Sequence, residues 1–139
     1  MDDSGYNASM PVMKSDRREA WDWIRIDGGR GNAVGPEFLR ALDAVLDELT
    51  REPDDEPARP VIVTGSRSVF SAGLDLEELA GSSRAELDEF LRRFHEIFMR
   101  LVCCPRPTVA AVNGHAVGAG FLLALACDRR VAAETLPGS

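Results

Sequence analysis

Two short apolar runs, each followed by a glycine-containing loop, constrain the fold of this chain more than any other feature. The first run covers residues 60–65, with the sequence PVIVTG, and the second covers residues 108–112, with the sequence TVAAV. Apolar residues without polar alternation are typical of strands buried on both faces, as in parallel sheets. Because parallel strands need a long crossover connection, we expect a helix between the two runs.

Two helical patterns accompany these runs. Pro36 stands where a first helical residue is expected, and apolar residues then recur at helical spacing as far as Leu49. Ser83 and Glu86 have the spacing of a capping box, and the helical pattern that follows them is ended by Pro105. The sequence therefore predicts one helix before the first apolar run and another between the two runs.

The remaining elements complete an alternating order. Residues 21–27 and 129–133 have strand patterns, and residues 121–126 form a short apolar helix. A helix that is apolar all round is typically buried on every side. The order of strands and helices predicts an α/β domain in which helices cross over between parallel strands.

Length, charge and cysteine content narrow the class of protein. The 139 residues suit one domain, which we expect over residues 19–139, after a polar and disordered leader at residues 1–18. The balance of 16 Lys and Arg against 23 Asp and Glu argues against a nucleic-acid-binding or polybasic membrane-binding protein. Three cysteines form no disulfide framework, and no signal peptide is visible, so we expect a cytoplasmic protein.

The two loops after the apolar runs are the candidate ligand-binding segments. They cover residues 68–76 and 113–120, and ligands bind beyond the carboxyl ends of the strands in such sheets. Backbone N–H groups at the start of a helix have no partner in the helix and attract anionic oxygen. One N–H from each loop could hold a carbonyl oxygen as an oxyanion, although glycine-rich turns after strands are more often only turns.

Longer stretches around these loops resemble a known family. Residues 60–76, which include FSAGLDL, resemble the first signature of the enoyl-CoA hydratase/isomerase (crotonase) superfamily. Residues 106–120, with the sequence RPTVAAVNGHAVGAG, resemble the second signature, and Asn32-Ala33 looks like an early element of the same family. The resemblance extends from about Trp21 to Glu134, which is nearly all of the expected domain.

The resemblance implies a fold, a substrate class and a site. The fold is the crotonase-like spiral of ββα repeats, and the substrates are acyl-CoA thioesters. The oxyanion hole would consist of the N–H groups of Leu74 and Ala119, where Ala119 stands in place of a common glycine. CoA would enter as part of the substrate, with no separate cofactor and no metal, and Arg67 or Arg59 could meet its phosphates. The substrate-binding residues implied are Ser71, Ala72, Gly73, Leu74, Asp75, Gly118, Ala119 and Leu122.

The sequence also departs from the family pattern. Hydratases of the family use two glutamates, and Leu122 occupies the position of the first, where it can neither accept a proton nor orient water. The second lies beyond residue 139, and Glu134 does not match it. We therefore expect the N-terminal part of the fold, truncated before the C-terminal helices that complete the pocket and build a trimer. A homo-oligomer is expected if those helices are supplied.

Two functions remain open. The first is an isomerase-like enzyme that stabilises an enolate of an acyl-CoA in the oxyanion hole. The second is a non-catalytic or degenerate fragment that serves as a binding or subunit protein. Other polar residues have structural interpretations: His115 is expected to pack in a turn, His95 to lie on a helix, and Asp75 to cap backbone N–H groups.

Overall fold

The two apolar runs form neighbouring strands of one sheet. The structure, a computed structural model, describes residues 13–17, 20–51 and 58–134. In chain order the elements are β1 (Met13–Arg17), β2 (Asp22–Ile26), α1 (Pro36–Thr50), β3 (Val61–Thr64), β4 (Val69–Ser71), α2 (Leu76–Ala80), α3 (Arg84–Val102), β5 (Thr108–Val112), β6 (His115–Ala116), α4 (Ala119–Ala126) and β7 (Arg129–Ala132).

Strands β2, β3, β5 and β7 are parallel neighbours in a five-stranded sheet of order β1-β2-β3-β5-β7. Val63 of β3 lies beside Ile24 of β2 on one side and Ala110 of β5 on the other. These three residues are fully or almost fully buried, because helices cover the sheet where the crossovers run. The predicted α/β order of parallel strands is therefore confirmed.

The amino-terminal edge of the sheet corrects one prediction. Residues 1–18 were expected to form a disordered leader, but Met13–Arg17 are strand β1, which pairs antiparallel with β2. Met13 is buried in the core. Strand pairing uses backbone groups, so a polar segment without alternation can add to an open sheet edge. Residues 1–12, 18–19 and 135–139 lie outside the described part of the chain, and the domain limits 19–139 stay a prediction.

Helix α1 contributes more buried residues to the core than any other described helix. Phe38, Leu42 and Leu46 are almost fully buried at the spacing that places them on one helix face. Helix α3 packs against α1, and Arg100 of α3 pairs with Asp43 and, at 2.7 Å, with Asp47. The predicted helices are confirmed: α1 ends one residue beyond Leu49, and α3 ends at Val102, before Pro105.

Helix α4 is apolar all round, but the described chain covers only one side of it. Leu123 and Ala124 are buried, but Phe121, Leu122 and Leu125 remain 53%, 48% and 46% exposed. The helix packs on β4, β5, β6, β7 and α3 with one side only. An apolar residue pattern all round a helix indicates that both faces can be buried. It does not indicate that the described part of the chain buries both. Among the described residues, no helix is long and apolar enough to cross a membrane.

A buried ion pair joins three segments at the amino ends of the strands. Asp22, the first residue of β2, pairs with Arg106, which precedes β5, and both are about 5% exposed. The Arg106 guanidinium also donates to the carbonyls of Arg59, at 2.8 Å, and Leu49, at 3.4 Å. Because one side chain bonds to the end of α1, the entry to β3 and the start of β2, it fixes these segments together.

Replacing Arg106 with methionine should lower the free energy of unfolding by about 3 kcal/mol, because the Asp22 carboxylate then stays buried without its main partner. Urea denaturation measures this loss. Arg92→Gln is the matched control, since Arg92 pairs with Glu89 and Glu96 on the exposed face of α3 and should contribute little. Equal midpoints for the two variants would contradict the structural role of the buried pair.

The exposed apolar face of α4 should make the 139-residue chain self-associate when it is expressed alone. Phe121, Leu122 and Leu125 of α4 are about half exposed, and exposed apolar side chains on one helix favour association. Light scattering should show species larger than a monomer, and Phe121→Ser should reduce them. Leu91→Ser on α3 removes an equally exposed apolar side chain elsewhere and serves as the control. A monodisperse monomer at all concentrations would refute this expectation.

Candidate functional site

The loops that follow β3 and β5 lie side by side at the carboxyl ends of these strands. Strand β4, in the first loop, pairs parallel with β6, in the second. The N–H of His115 donates to the Ser68 carbonyl at 3.2 Å, and the N–H of Val117 donates to the Ser71 carbonyl at 3.0 Å. The sequence predicts loops for both segments, because strands of two or three residues are too short to show a period.

Two asparagine side chains fix the first loop. Asn32, which is 3% exposed, donates through Nδ2 to the carbonyls of Val69 and Phe70 at 3.3 Å each. Asn113 donates through Nδ2 to Arg67 O at 3.0 Å and Val69 O at 3.3 Å, and its Oδ1 accepts from Gly65 N at 2.9 Å. The position of the first loop is therefore set by side chains from the turn after β5 and from the turn before α1.

A second set of bonds holds the backbone on both sides of Leu74. The N–H of Ala72 donates to Gly31 O at 2.8 Å, and the N–H of Val34 donates to Gly73 O at 2.7 Å. The N–H of Asp75 then donates to Val34 O at 2.9 Å. None of these bonds uses the N–H of Leu74. The Gly73–Leu74 peptide is therefore held through its carbonyl, while its N–H group stays available to a ligand.

The N–H groups of Leu74 and Ala119 both lack an acceptor within the described residues. Ala119 is the first residue of α4, and its N-cap residue, Gly118, offers no side chain to the helix end. The two donors lie close together, because a Cβ built on Gly73 would be only 3.4 Å from Ala119 N and 2.6 Å from Val117 O. Two unpaired N–H groups on facing turns are suited to one ligand oxygen.

The Gly-Ala-Gly sequence before α4 suits this arrangement residue by residue. Gly118 has a φ of +53°, which an L side chain rarely adopts, whereas Ala119 is not among the positive-φ residues of the described chain. A Cβ on Gly120 would lie 2.2 Å from Ser71 O, so the helix could not approach β4 as closely with any other residue. Alanine at position 119 therefore introduces no backbone strain there.

The other predicted binding residues divide into buried and accessible ones. Ser71 is fully buried, and its Oγ donates to Asn32 O at 2.8 Å, so it supports the loop instead of facing a ligand. Ala72 and Gly118 are exposed. Asp75 is the N-cap of α2, where its Oδ1 accepts from Glu78 N at 3.1 Å, as predicted. Leu122 is half-exposed and lies one turn after Ala119.

The structure separates the two arginines that were candidates for phosphate contacts. Arg59 comes just before β3 and donates to Trp21 O at 3.2 Å and Asp22 Oδ1 at 3.5 Å, at the amino ends of the strands. This position is opposite to the two loops, so Arg59 is not a candidate for a ligand bound there. Arg67 lies in the turn after β3 with an exposed side chain and stays a candidate.

Histidines and cysteines contribute no catalytic group that the geometry supports. His115 lies in β6 and His95 on α3, and both are exposed. Burial raises the pKa of the Cys127 thiol to about 12, so this group stays protonated and is a poor nucleophile at neutral pH. Within the described residues, no group of three or more His, Cys, Asp or Glu could hold a metal ion.

Comparison with known proteins identifies the family. The model of the enoyl-CoA hydratase/isomerase family matches residues 23–136. The chain belongs to this family. A probable enoyl-CoA hydratase of Mycobacterium tuberculosis is 42% identical over 106 residues, which are 76% of this chain and 40% of that protein. An enoyl-CoA isomerase/hydratase of Mycosarcoma maydis is 40% identical over 101 residues, or 72% of this chain and 37% of that protein.

Solved structures show that the fold is crotonase-like. The crystal structure of an enoyl-CoA hydratase from Bacillus anthracis superposes with a TM-score of 0.81 and 30% identity, covering 90% of this chain and 48% of that one. The chain thus spans about two fifths of the length of these curated relatives and about half of this solved structure.

The close approach of the two loops gives a testable stability series. Gly73→Ala should lower the free energy of unfolding by about 1–3 kcal/mol, because it combines a φ of +95° with a clash against Val117 O. Gly118→Ala has the positive φ but open space around its Cβ, so its free energy of unfolding should fall by less. Gly81→Ala has neither problem and is the control. Urea denaturation ranks the three, and a Gly73 variant as stable as the Gly81 variant would contradict the described contact.

Proposed function

We propose that the N–H groups of Leu74 and Ala119 form an oxyanion hole for the thioester carbonyl of an acyl-CoA. The observation that supports this function best is that both donors lack an acceptor in the described chain and start on facing turns. The enoyl-CoA hydratase/isomerase relatives support the same substrate class. Because this chain spans only part of those relatives, the activity of the whole protein is part of the proposal.

The chemistry is proton transfer at the carbon next to the thioester carbonyl. When a base removes that proton, the electron pair moves to the carbonyl oxygen, and negative charge develops there. Two fixed N–H donors stabilise this charge without reorganisation, and one such donor is typically worth about 3–4 kcal/mol of barrier. The described residues provide the two donors and no carboxylate that we assign as the base.

The residue at position 122 favours isomerase-like chemistry over hydration. Leu122 lies on the exposed face of α4, one turn after Ala119, where the family resemblance places the first catalytic glutamate of hydratases. An apolar side chain cannot hold or activate the water that hydration adds. The same observation favours the second candidate, a non-catalytic binding or subunit protein that keeps the carbonyl-binding turns.

Further parts of the proposal concern CoA, assembly and location. The exposed backbone at Ala72 and Gly118, together with Asp75, would line the path of the CoA arm, with Arg67 placed to meet a phosphate. An acidic chain needs such local positive charge to bind a polyanion. The exposed face of α4 fits a homo-oligomer. A cytoplasmic location stays a prediction from the cysteine content.

The oxyanion hole predicts selective binding of thioesters. Crotonyl-CoA should bind more tightly than either free CoA or crotonate. Only the thioester can place its carbonyl between the two N–H donors while its CoA part is also bound. Isothermal titration calorimetry measures the three affinities. Crotonamide serves as a control for a carbonyl without the CoA arm. If crotonyl-CoA and free CoA bind equally well, the carbonyl is not recognised and the proposed site fails.

Hydration of crotonyl-CoA should be near background, because loss of one general acid–base group typically reduces a rate by ~10²–10⁴-fold. Leu122→Glu should raise the rate above background, since it restores a carboxylate beside the hole. Leu125→Glu adds the same charge to the same exposed face three residues later and should have no effect. Absorbance of the enoyl thioester follows the reaction. Hydration by the unmodified chain at ordinary enzyme rates would show that Leu122 does not have the assigned role.

A further inference from the structure

The turn before α1 has an unusual backbone. Gly29, Arg30, Gly31 and Asn32 all have positive φ, from +45° to +68°, and the N–H of Asn32 donates to Gly29 O at 2.7 Å. Four successive left-handed residues are rare, because an L side chain is strained in this region. Glycine avoids the strain and asparagine tolerates it. Arg30 is therefore the one residue of the turn whose type does not favour its positive φ.

The Arg30 side chain crosses from this turn to the segment after Leu74. Its guanidinium pairs with Asp75 at 3.3 Å and with Glu77. Asp75 directly follows Leu74, and its carboxylate also caps α2. Arg30 therefore bonds the left-handed turn to the residue next to the proposed oxyanion donor.

Backbone bonds between the same two segments show why this link bears on Leu74. Gly31 O accepts from Ala72 N, and Val34 pairs with Gly73 O and Asp75 N. A Cβ on Gly31 would be 3.1 Å from the Ala72 Cβ, so the segments are in direct contact. Arg30 is the side-chain link at the Asp75 end of this set, one peptide after the Gly73–Leu74 peptide that carries the Leu74 N–H.

We propose that Arg30 is a positioning residue for the oxyanion hole: by pairing with Asp75 and Glu77, it holds the Leu74 N–H toward the site. This inference rests on the proposed function. The ion pairs are exposed, so their contribution to overall stability is small. Their effect should appear in carbonyl binding, because affinity falls in proportion to the fraction of molecules whose site is correctly arranged.

A neutral thioester separates positioning from direct contact with CoA phosphates. The probe is S-crotonyl-N-acetylcysteamine, which has the thioester carbonyl and no phosphate. Arg30→Gly removes the guanidinium and keeps a residue that adopts the positive φ without strain. This variant should bind the probe about two- to fivefold more weakly, the range expected from the coupling of an exposed ion pair. The infrared carbonyl band of the bound probe should also shift less from its position in water.

Three variants complete the test. Arg30→Lys should recover part of the affinity, because it restores the charge but cannot bond both carboxylates in the same way. Glu77→Gln should weaken binding in the same direction without any change to the turn. Arg92→Gln is the control, since Arg92 is as exposed as Arg30, 55% against 56%, and also pairs with two carboxylates, but on α3.

The possible results are distinct. Weaker binding and a smaller carbonyl shift in the Arg30 and Glu77 variants, with the Arg92 variant unchanged, would support positioning. An effect of Arg30→Gly on crotonyl-CoA but not on the neutral probe would overturn it and indicate direct phosphate contact. If the unmodified chain itself produces no carbonyl shift, the oxyanion hole is wrong and the inference fails with it. If Arg30→Gly matches the unmodified chain for both ligands, the hole can stand and only the positioning role is refuted.

Discussion

The carbonyl of Val69 accepts hydrogen bonds from two asparagines that come from distant parts of the chain, Asn32 and Asn113. Each amide also bonds to other backbone groups of the loop after β3, so the loop is held by side chains where no regular ladder can extend. Buried backbone groups need such partners, and a loop that leaves them unpaired would be destabilised. The position of Leu74 depends on this arrangement, because its backbone follows directly from the held segment.

The residues that stabilise the sheet and the candidate ligand-binding groups lie at opposite ends of its strands. At the amino ends of the strands, the Asp22–Arg106 pair is buried and fully used by protein groups. At the carboxyl ends, the turns before α2 and α4 leave N–H groups without partners in the described chain. Unpaired donors are costly when they are buried and useful when a ligand can reach them. The donors therefore lie on turns, while the charges that fix the strands lie at the opposite end.

Much of the fold could be predicted from periodicity, but the details of the site could not. Apolar runs and capping residues such as Ser83 predicted the central strands and the long helices, because these signals are local in the sequence. Strand β1 and the β4–β6 pair were missed, since their pairing depends on backbone groups of a distant segment. Side-chain pairs such as Arg30 with Asp75 join residues far apart in sequence, so no spacing rule indicates them.

The family resemblance predicts Leu74 and Ala119 as the oxyanion donors, and the structure gives a physical reason why each N–H group is unpaired in the described chain. Val34 bonds to Gly73 O and Asp75 N, the backbone groups on either side of Leu74. In a parallel bridge of this kind, the N–H of the central residue makes no bond to the partner segment. Ala119 is left unpaired for a different reason, because the first N–H groups of a helix have no partner within it. Gly73 and Gly120 allow the two unpaired N–H groups to lie close together, since a Cβ at either position would collide with the opposite loop. The proposed site consequently needs small residues on both turns more than any particular polar side chain, and the residue type at position 122, on the exposed side of α4, does not affect the contact between the turns.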